Sequence, residues 1–129
     1  MYLEEQETIA KGVLIRDARV LILRRANKFV KKNSPWEWDL PGGHIEPSET
    51  PGEALSREAM EEVSLALGAL TEVHKGSRTA FFYCTDWEGD IKLSHEHQDY
   101  KWINPEDIGN YYIGEDYRTA VRKAVKEIS

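Results

Sequence analysis

One cysteine, Cys84, is all that the 129 residues contain. An internal disulfide is therefore excluded, and the composition fits a reducing compartment. The apolar neighbours of Cys84, Ala80 to Tyr83, mark it as a buried strand residue rather than a nucleophile. No apolar run approaches the roughly 18 residues of a membrane-spanning helix, and the first residues carry no signal-peptide pattern. Basic excess is also missing: 17 Lys and Arg stand against 23 Asp and Glu, a net charge of −6. A chain built to grip a nucleic-acid backbone carries the opposite sign. There is no internal repeat, low-complexity tract or linker. These absences predict one cytoplasmic domain over residues 1–129, a monomer or homodimer with no membrane or nucleic-acid partner.

What is present suits a globular fold. Hydrophobic residues make up 40% and charged residues 31%, enough for one core. Thr8–Arg16 and Arg19–Arg25 read as strands joined by a tight turn near Asp17, followed by a polar loop, Asn27–Trp36. Leu70–Lys75, Thr79–Thr85, Ile91–Leu93 and Tyr100–Ile103 read as further strands, with Glu88-Gly89-Asp90 as a turn. A helix is expected from about Glu115, with Tyr117, Val121, Ala124, Val125 and Ile128 on its apolar face. Strands followed by helices at two places predict an α/β fold whose sheet is covered on both sides.

The most informative stretch is Gly43–Leu65. Thr50-Pro51-Gly52-Glu53 forms a capping box, with Thr50 at the N-cap, Pro51 at N1 and Glu53 at N3. Leu55, Ala59 and Val63 supply an apolar stripe. Glu58, Glu61 and Glu62 share a helix face, and like charges at that spacing cost helix stability. A hard divalent cation with oxygen ligands resolves the conflict. Arg57 can reach Glu61 one turn on. A simple solvated acidic helix would not need Gly42-Gly43, Glu49 and Arg57 as well.

Gly43, Glu49, Arg57, Glu58, Glu61 and Glu62 resemble the signature of the Nudix hydrolases, with every charged position matched. Ala59 is smaller than the usual branched residue, and Ser64 stands where that family has glycine. The resemblance implies a Nudix-type α/β/α sandwich with a mixed β-sheet. It also implies Mg²⁺ as cofactor, with Mn²⁺ able to substitute. Glu58 and Glu62 become the main side-chain metal ligands, Glu61 shares metal or activates water, Arg57 joins Glu61 as a catalytic residue, and the Gly42 carbonyl joins the metal shell. Glu49 is expected either to orient Arg57 or to be a plain loop carboxylate near a helix N-terminus. Glu96 precedes Trp102 by six residues, as a metal ligand or general base does in many relatives; the alternative is a hydrophilic turn. His95 and His97 flank Glu96 without making a zinc site.

Substrate recognition is expected from Arg25, Trp38 and Asp39. Arg24, Arg25, Lys28, Lys31 and Lys32 form a basic run that would offset the acidic helix for a polyanion. Phe29, Trp36, Trp38, Tyr83 and Trp102 are aromatic candidates for stacking on a base. The expected reaction is Mg²⁺-dependent hydrolysis of a phosphoanhydride in a nucleoside diphosphate linked to X. A nucleoside triphosphate, normal or oxidised, heads the candidates, giving monophosphate and pyrophosphate. Dinucleoside polyphosphates and nucleotide sugars are alternatives, as is a non-catalytic nucleotide-sensing module. RNA-end processing fits the acidic charge less well. No proline lies between Leu65 and Pro105, unlike many ADP-ribose hydrolases of the family. Asn110 lies near, but out of register with, the asparagine that selects oxidised guanine in MutT-like members. Ser64 is expected to end the helix in a left-handed conformation; the alternative is a helix running on to Gly68.

Overall fold

The computed structural model describes residues 6–26 and 36–129. Strands β1 (Ile9–Arg16) and β2 (Arg19–Arg25) form a hairpin over Asp17 and Ala18, both at positive φ. That two-residue turn matches the right-handed twist of the strands it joins. β3 (Trp38–Asp39) and β4 (Gly42–His44) follow, then helix α1 (Pro51–Val63). After α1 come β5 (Ala66–Leu67), β6 (Thr71–Gly76), β7 (Thr79–Cys84), β8 (Trp87–Glu88) and β9 (His97–Ile103). A 3-10 turn over Pro105–Asn110 leads to helix α2 (Glu115–Ile128).

The main sheet runs β3-β2-β1-β7-β6, with β4 also paired to β1 and β9 to β2. β1 and β7 are parallel and the other pairs antiparallel, so the sheet is mixed. β5 and β8 form a separate small ladder.

Alternation along β1 and β2 distributes side chains to two cores. Leu14, Leu21 and Leu23 pack with Ala59 and Val63 of α1, while Ala10 packs with Ala54 and Leu55. Val13, Ile15, Val20 and Ile22 face the other way, against Ala120, Val121 and Ala124 of α2. The result is the expected α/β/α sandwich. Among the described residues, no helix is long and apolar enough to cross a membrane.

α1 starts as its sequence dictates. The Thr50 hydroxyl accepts from the Glu53 N–H, and the Glu53 carboxylate accepts from the Thr50 N–H. It stops at Ser64, which is left-handed at φ 64° and ψ 31°. The longer helix to Gly68 is thereby excluded: Ala66–Leu67 pairs with β8 instead. A non-glycine residue in this conformation costs about 1 kcal/mol or more. Ser64→Gly should therefore raise the midpoint in denaturant by an amount worth about 0.5–1 kcal/mol, after allowance for the freer unfolded chain. A lowered midpoint would contradict the strained Ser64.

Ile91–Leu93, expected as a strand, is not one. The Lys92 N–H donates to Val63 O and the Ser94 N–H to Glu62 O, so the segment satisfies the last carbonyls of α1 rather than a ladder. The expected turn at Glu88–Asp90 begins one residue late, because Glu88 is already paired to Ala66. β9 starts at His97, three residues earlier than the expected Tyr100.

Candidate active site

A cleft of about 580 Å³ gathers residues from most of these elements. Ile9 and Lys11 come from the first half of β1, Arg25 from the end of β2, and Asp39 from β3. Gly42, Gly43 and His44 come from β4, Glu58, Glu61 and Glu62 from α1, Glu96 from the turn before β9, His97 from its first residue, and Tyr117 from α2. A second depression, about 550 Å³ between the β1–β2 turn and Lys101–Asp107, carries side chains of mixed sign and none of the acidic group.

Three carboxylates on one face, toward the negative end of the helix dipole, require compensation. Arg57 supplies it. Its Nε and Nη2 grip the Glu49 carboxylate at 2.7 and 3.0 Å. Nη1 reaches Glu58 at 3.0 Å and Glu61 at 3.3 Å, and Nη2 also donates to the His44 carbonyl at 3.0 Å. Glu49 is thus a partner of Arg57, and that hydrogen-bonded pairing holds its carboxyl below the usual range. The loop 44–49 is tied to α1 by the same guanidinium.

The two glycines act differently. Gly42 lies at φ +131°, a conformation that only glycine adopts readily. Gly43 makes room: a Cβ there would lie 2.6 Å from the Glu58 carboxylate carbon. The Gly42 N–H donates to Glu62 Oε1 at 2.8 Å. Glu62 is 5% exposed, and burial pushes its carboxyl up to about 8 against the opposing pull of Lys11 and of the Gly42 N–H.

Lys11 is a site residue that the sequence reading did not select. It is 6% exposed, and its Nζ donates to Asp39 Oδ2 at 3.1 Å, Leu40 O at 3.3 Å and Gly42 O at 3.0 Å. Burial disfavours its charge, but Asp39 and the nearby Glu62 outweigh that and keep the ammonium protonated above its ordinary range. His97 and Tyr117 were likewise not selected as site residues. Burial lowers the His97 imidazole and raises the Tyr117 hydroxyl.

Of the expected substrate residues, Arg25 and Asp39 line the cleft and Trp38 does not. Trp38 is 8% exposed and packs edge-on against Tyr111 at 5.4 Å in the α2-side core. Its position in β3 turns the ring inward while Asp39, the next residue, turns toward the cleft. Asp39 is already engaged by Lys11 and by the Leu40 N–H at 2.8 Å. Trp102 is stacked on Trp87 at 5.8 Å, Tyr83 leans on the core, and Trp36 lies against Tyr112 at 4.8 Å. None of these three rings lines the cleft, and neither does the exposed Asn110. Arg24 is paired with Glu37 at 2.6 Å. Phe29, Lys28, Lys31 and Lys32 lie outside the described residues. Cys84 is buried and free, as expected.

The donor set suits a hard cation: Glu58, Glu61, Glu62 and Glu96 offer oxygen only. Among the described residues no three Asp, Glu, His or Cys side chains converge as a ready cage. Arg57 instead occupies Glu58 and Glu61, and Glu62 is buried at a cost to its ionised form. A carboxylate raised by burial is one that a divalent cation would stabilise as the anion.

That cost has a measurable sign. A carboxyl raised from 4.5 unfolded to about 8 folded binds its proton more tightly in the native state. Its contribution is present in full below the unfolded value and is lost as pH rises through about 8. Metal-free protein should therefore lose about 1 kcal/mol of stability between about pH 7 and about pH 8.5. Glu62→Gln should flatten this part of the profile in chelator. An identical slope in both proteins would remove Glu62 as its source.

The comparisons with known proteins bear on the family and the fold. The NUDIX domain model matches residues 7–126. Nucleoside triphosphatase NudI of Escherichia coli O81 (strain ED1a) is 31% identical over 141 aligned positions, covering 94% of this chain and 95% of that protein. A MutT protein from Methanosarcina mazei Go1 superposes with TM-score 0.74 at 25% identity, covering 99% of both chains. A MutT Nudix hydrolase from Burkholderia pseudomallei gives TM-score 0.74 at 20% identity, covering 93% of this chain and 98% of its own. With a family match over nearly its whole length, the chain belongs to the Nudix family and is a small MutT-like Nudix hydrolase.

Proposed function

We propose that this hydrolase cleaves a phosphoanhydride of a nucleoside triphosphate, releasing monophosphate and pyrophosphate with Mg²⁺ as the divalent cation. The observation that carries this reading is one cleft holding Glu58, Glu61, Glu62 and Glu96 beside the cationic Arg25. A relative named as a nucleoside triphosphatase supports the substrate class.

Anhydride cleavage needs neutralised phosphate charge, an activated water and alignment of the two. Glu58, Glu62 and Glu61, with the Gly42 carbonyl, would hold the cation, which when bound neutralises the phosphates and lowers the pKa of water. Arg25, which lines the same cleft, meets the phosphate chain. Glu96, brought to the cleft by the turn before β9, takes the proton of the attacking water or adds an oxygen ligand. Arg57 touches neither water nor phosphate in this scheme; it orients Glu58 and Glu61, and Glu49 orients Arg57. Asp39 accepts from the substrate with the lone pairs that Lys11 and the Leu40 N–H leave open.

The test is a panel of nucleoside triphosphates, oxidised triphosphates, dinucleoside polyphosphates and nucleotide sugars, with products separated by chromatography. Triphosphates should be turned over in Mg²⁺, yielding pyrophosphate, and the reaction should stop in excess chelator. Undiminished turnover in chelator, or cleavage confined to nucleotide sugars, would overturn the reading.

A further inference from the structure

Lys11 is the one buried ammonium described in the cleft, and all three of its protons are spent within the protein. Its acceptors are Asp39 Oδ2 and the carbonyls of Leu40 and Gly42, three points on one short loop. No proton remains for a phosphate, so a role as a direct substrate contact is excluded in this arrangement. Packing anchors the loop at Leu40, which is fully buried in the core, and β2 pairing holds Asp39, but the backbone polar groups between them have few partners. Leu40 and Pro41 are unpaired in the sheet, and Pro41 has no N–H. The remaining ties are the Gly12 N–H to Pro41 O at 2.8 Å, the short β1–β4 ladder and the Gly42 N–H to Glu62.

We propose that Lys11 is a positioning residue that pins the loop Asp39–Gly42, setting where Gly42 presents its carbonyl to the acidic face of α1. The inference rests on the reading that this face holds the divalent cation. Lys11 lies opposite Gly42 in the β1–β4 register, so the side chain spans from one strand to the loop that enters the other. Asp39 neutralises the ammonium locally, which limits its long-range repulsion of a second cation. What remains is geometry: a lost pin removes the direct hold on the Gly42 carbonyl, while the Pro41–Gly42 peptide that donates to Glu62 keeps its bond from the Gly12 N–H. Outer-shell partners of this kind change metal affinity as well as turnover.

The test separates geometry from charge. The double variant Lys11→Met/Asp39→Asn keeps the net charge of the wild type and removes the pin. Mn²⁺ binding is measured without substrate, by electron paramagnetic resonance of the free ion, alongside kcat, KM and thermal melts. The expected result is a Mn²⁺ dissociation constant raised by about tenfold, the low end of outer-shell effects; it is read without substrate, so the loss of Asp39 as a substrate acceptor does not enter it. If the double variant does not melt cooperatively, Lys11→Gln/Asp39→Asn keeps an amide donor at the position and should show the same direction with a smaller change. Wild-type Mn²⁺ affinity in a folded neutral variant, with only the melting temperature lowered, would overturn the inference and make Lys11 purely structural. Failure of the wild type itself to bind Mn²⁺ would instead overturn the reading of the acidic face.

Discussion

Glu62→Gln should lower kcat by at least about 100-fold, equivalent to ~2.7 kcal/mol of barrier. The side chain keeps its shape and can still accept the Gly42 N–H through its amide oxygen. What disappears is the negative charge, which in the proposed scheme is the deepest ligand of the cation. The fold should survive, because the replaced group is a buried carboxyl whose ionised form already costs stability. Glu58→Gln should lose turnover similarly, since Gly43 is bare to admit its carboxylate. Steady-state kinetics across Mg²⁺ concentrations decide the matter. If both variants retain more than about half of wild-type kcat, a change under 0.4 kcal/mol, the ligand assignment is wrong.

Gly42→Ala should be the most damaging single-methyl change in the chain. A Cβ there would lie 2.0 Å from Ala10 O and 2.8 Å from Lys11 Cα, both backbone atoms that cannot step aside. The residue also sits at φ +131°, where an L side chain is strained whatever the space. The combined cost should exceed about 3 kcal/mol, within the range of buried clashes and strained backbone. Gly52→Ala is the control: its Cβ meets nothing nearer than 3.5 Å, inside the first turn of α1. That change should be neutral or stabilising by up to about 1 kcal/mol. Equal melting midpoints for the two variants would refute the distinction.

The strands rich in Val, Ile and Leu were readable because periodicity and turn residues agreed. Arg19–Arg25 has the observed bounds, and α1 follows its capping box. The short elements were not readable. β3 and β4 span two and three residues around Leu40-Pro41, where local turn signals outweigh any strand pattern. Ile91–Leu93 has strand propensity but is bonded to the end of α1, a tertiary outcome that propensity does not encode.

In the site, the carboxylates were legible because spacing alone places them on one face. Lys11 was hidden for the opposite reason. It is a single charge inside an apolar strand, and only the fold shows that it points at a loop 28 or more residues away. Tyr117 was legible only as part of the apolar face of α2. Trp38 was misjudged because a tryptophan beside an aspartate gives no sign of which one faces inward.

α1 is fixed at both ends, by the Thr50–Glu53 box and by the left-handed Ser64, with 13 residues between. Each residue of a helix adds about 100° of rotation and 1.5 Å of rise. One residue inserted after Leu55 would swing Glu58, Glu61 and Glu62 away from the cleft by more than a quarter turn and pull Ala59 and Val63 out of the core. Between those two caps the chain can drift in composition, as at the half-exposed Met60, but not in length. The helix is a ruler whose graduations are the carboxylates of the cleft, and variation in loop size must fall outside it.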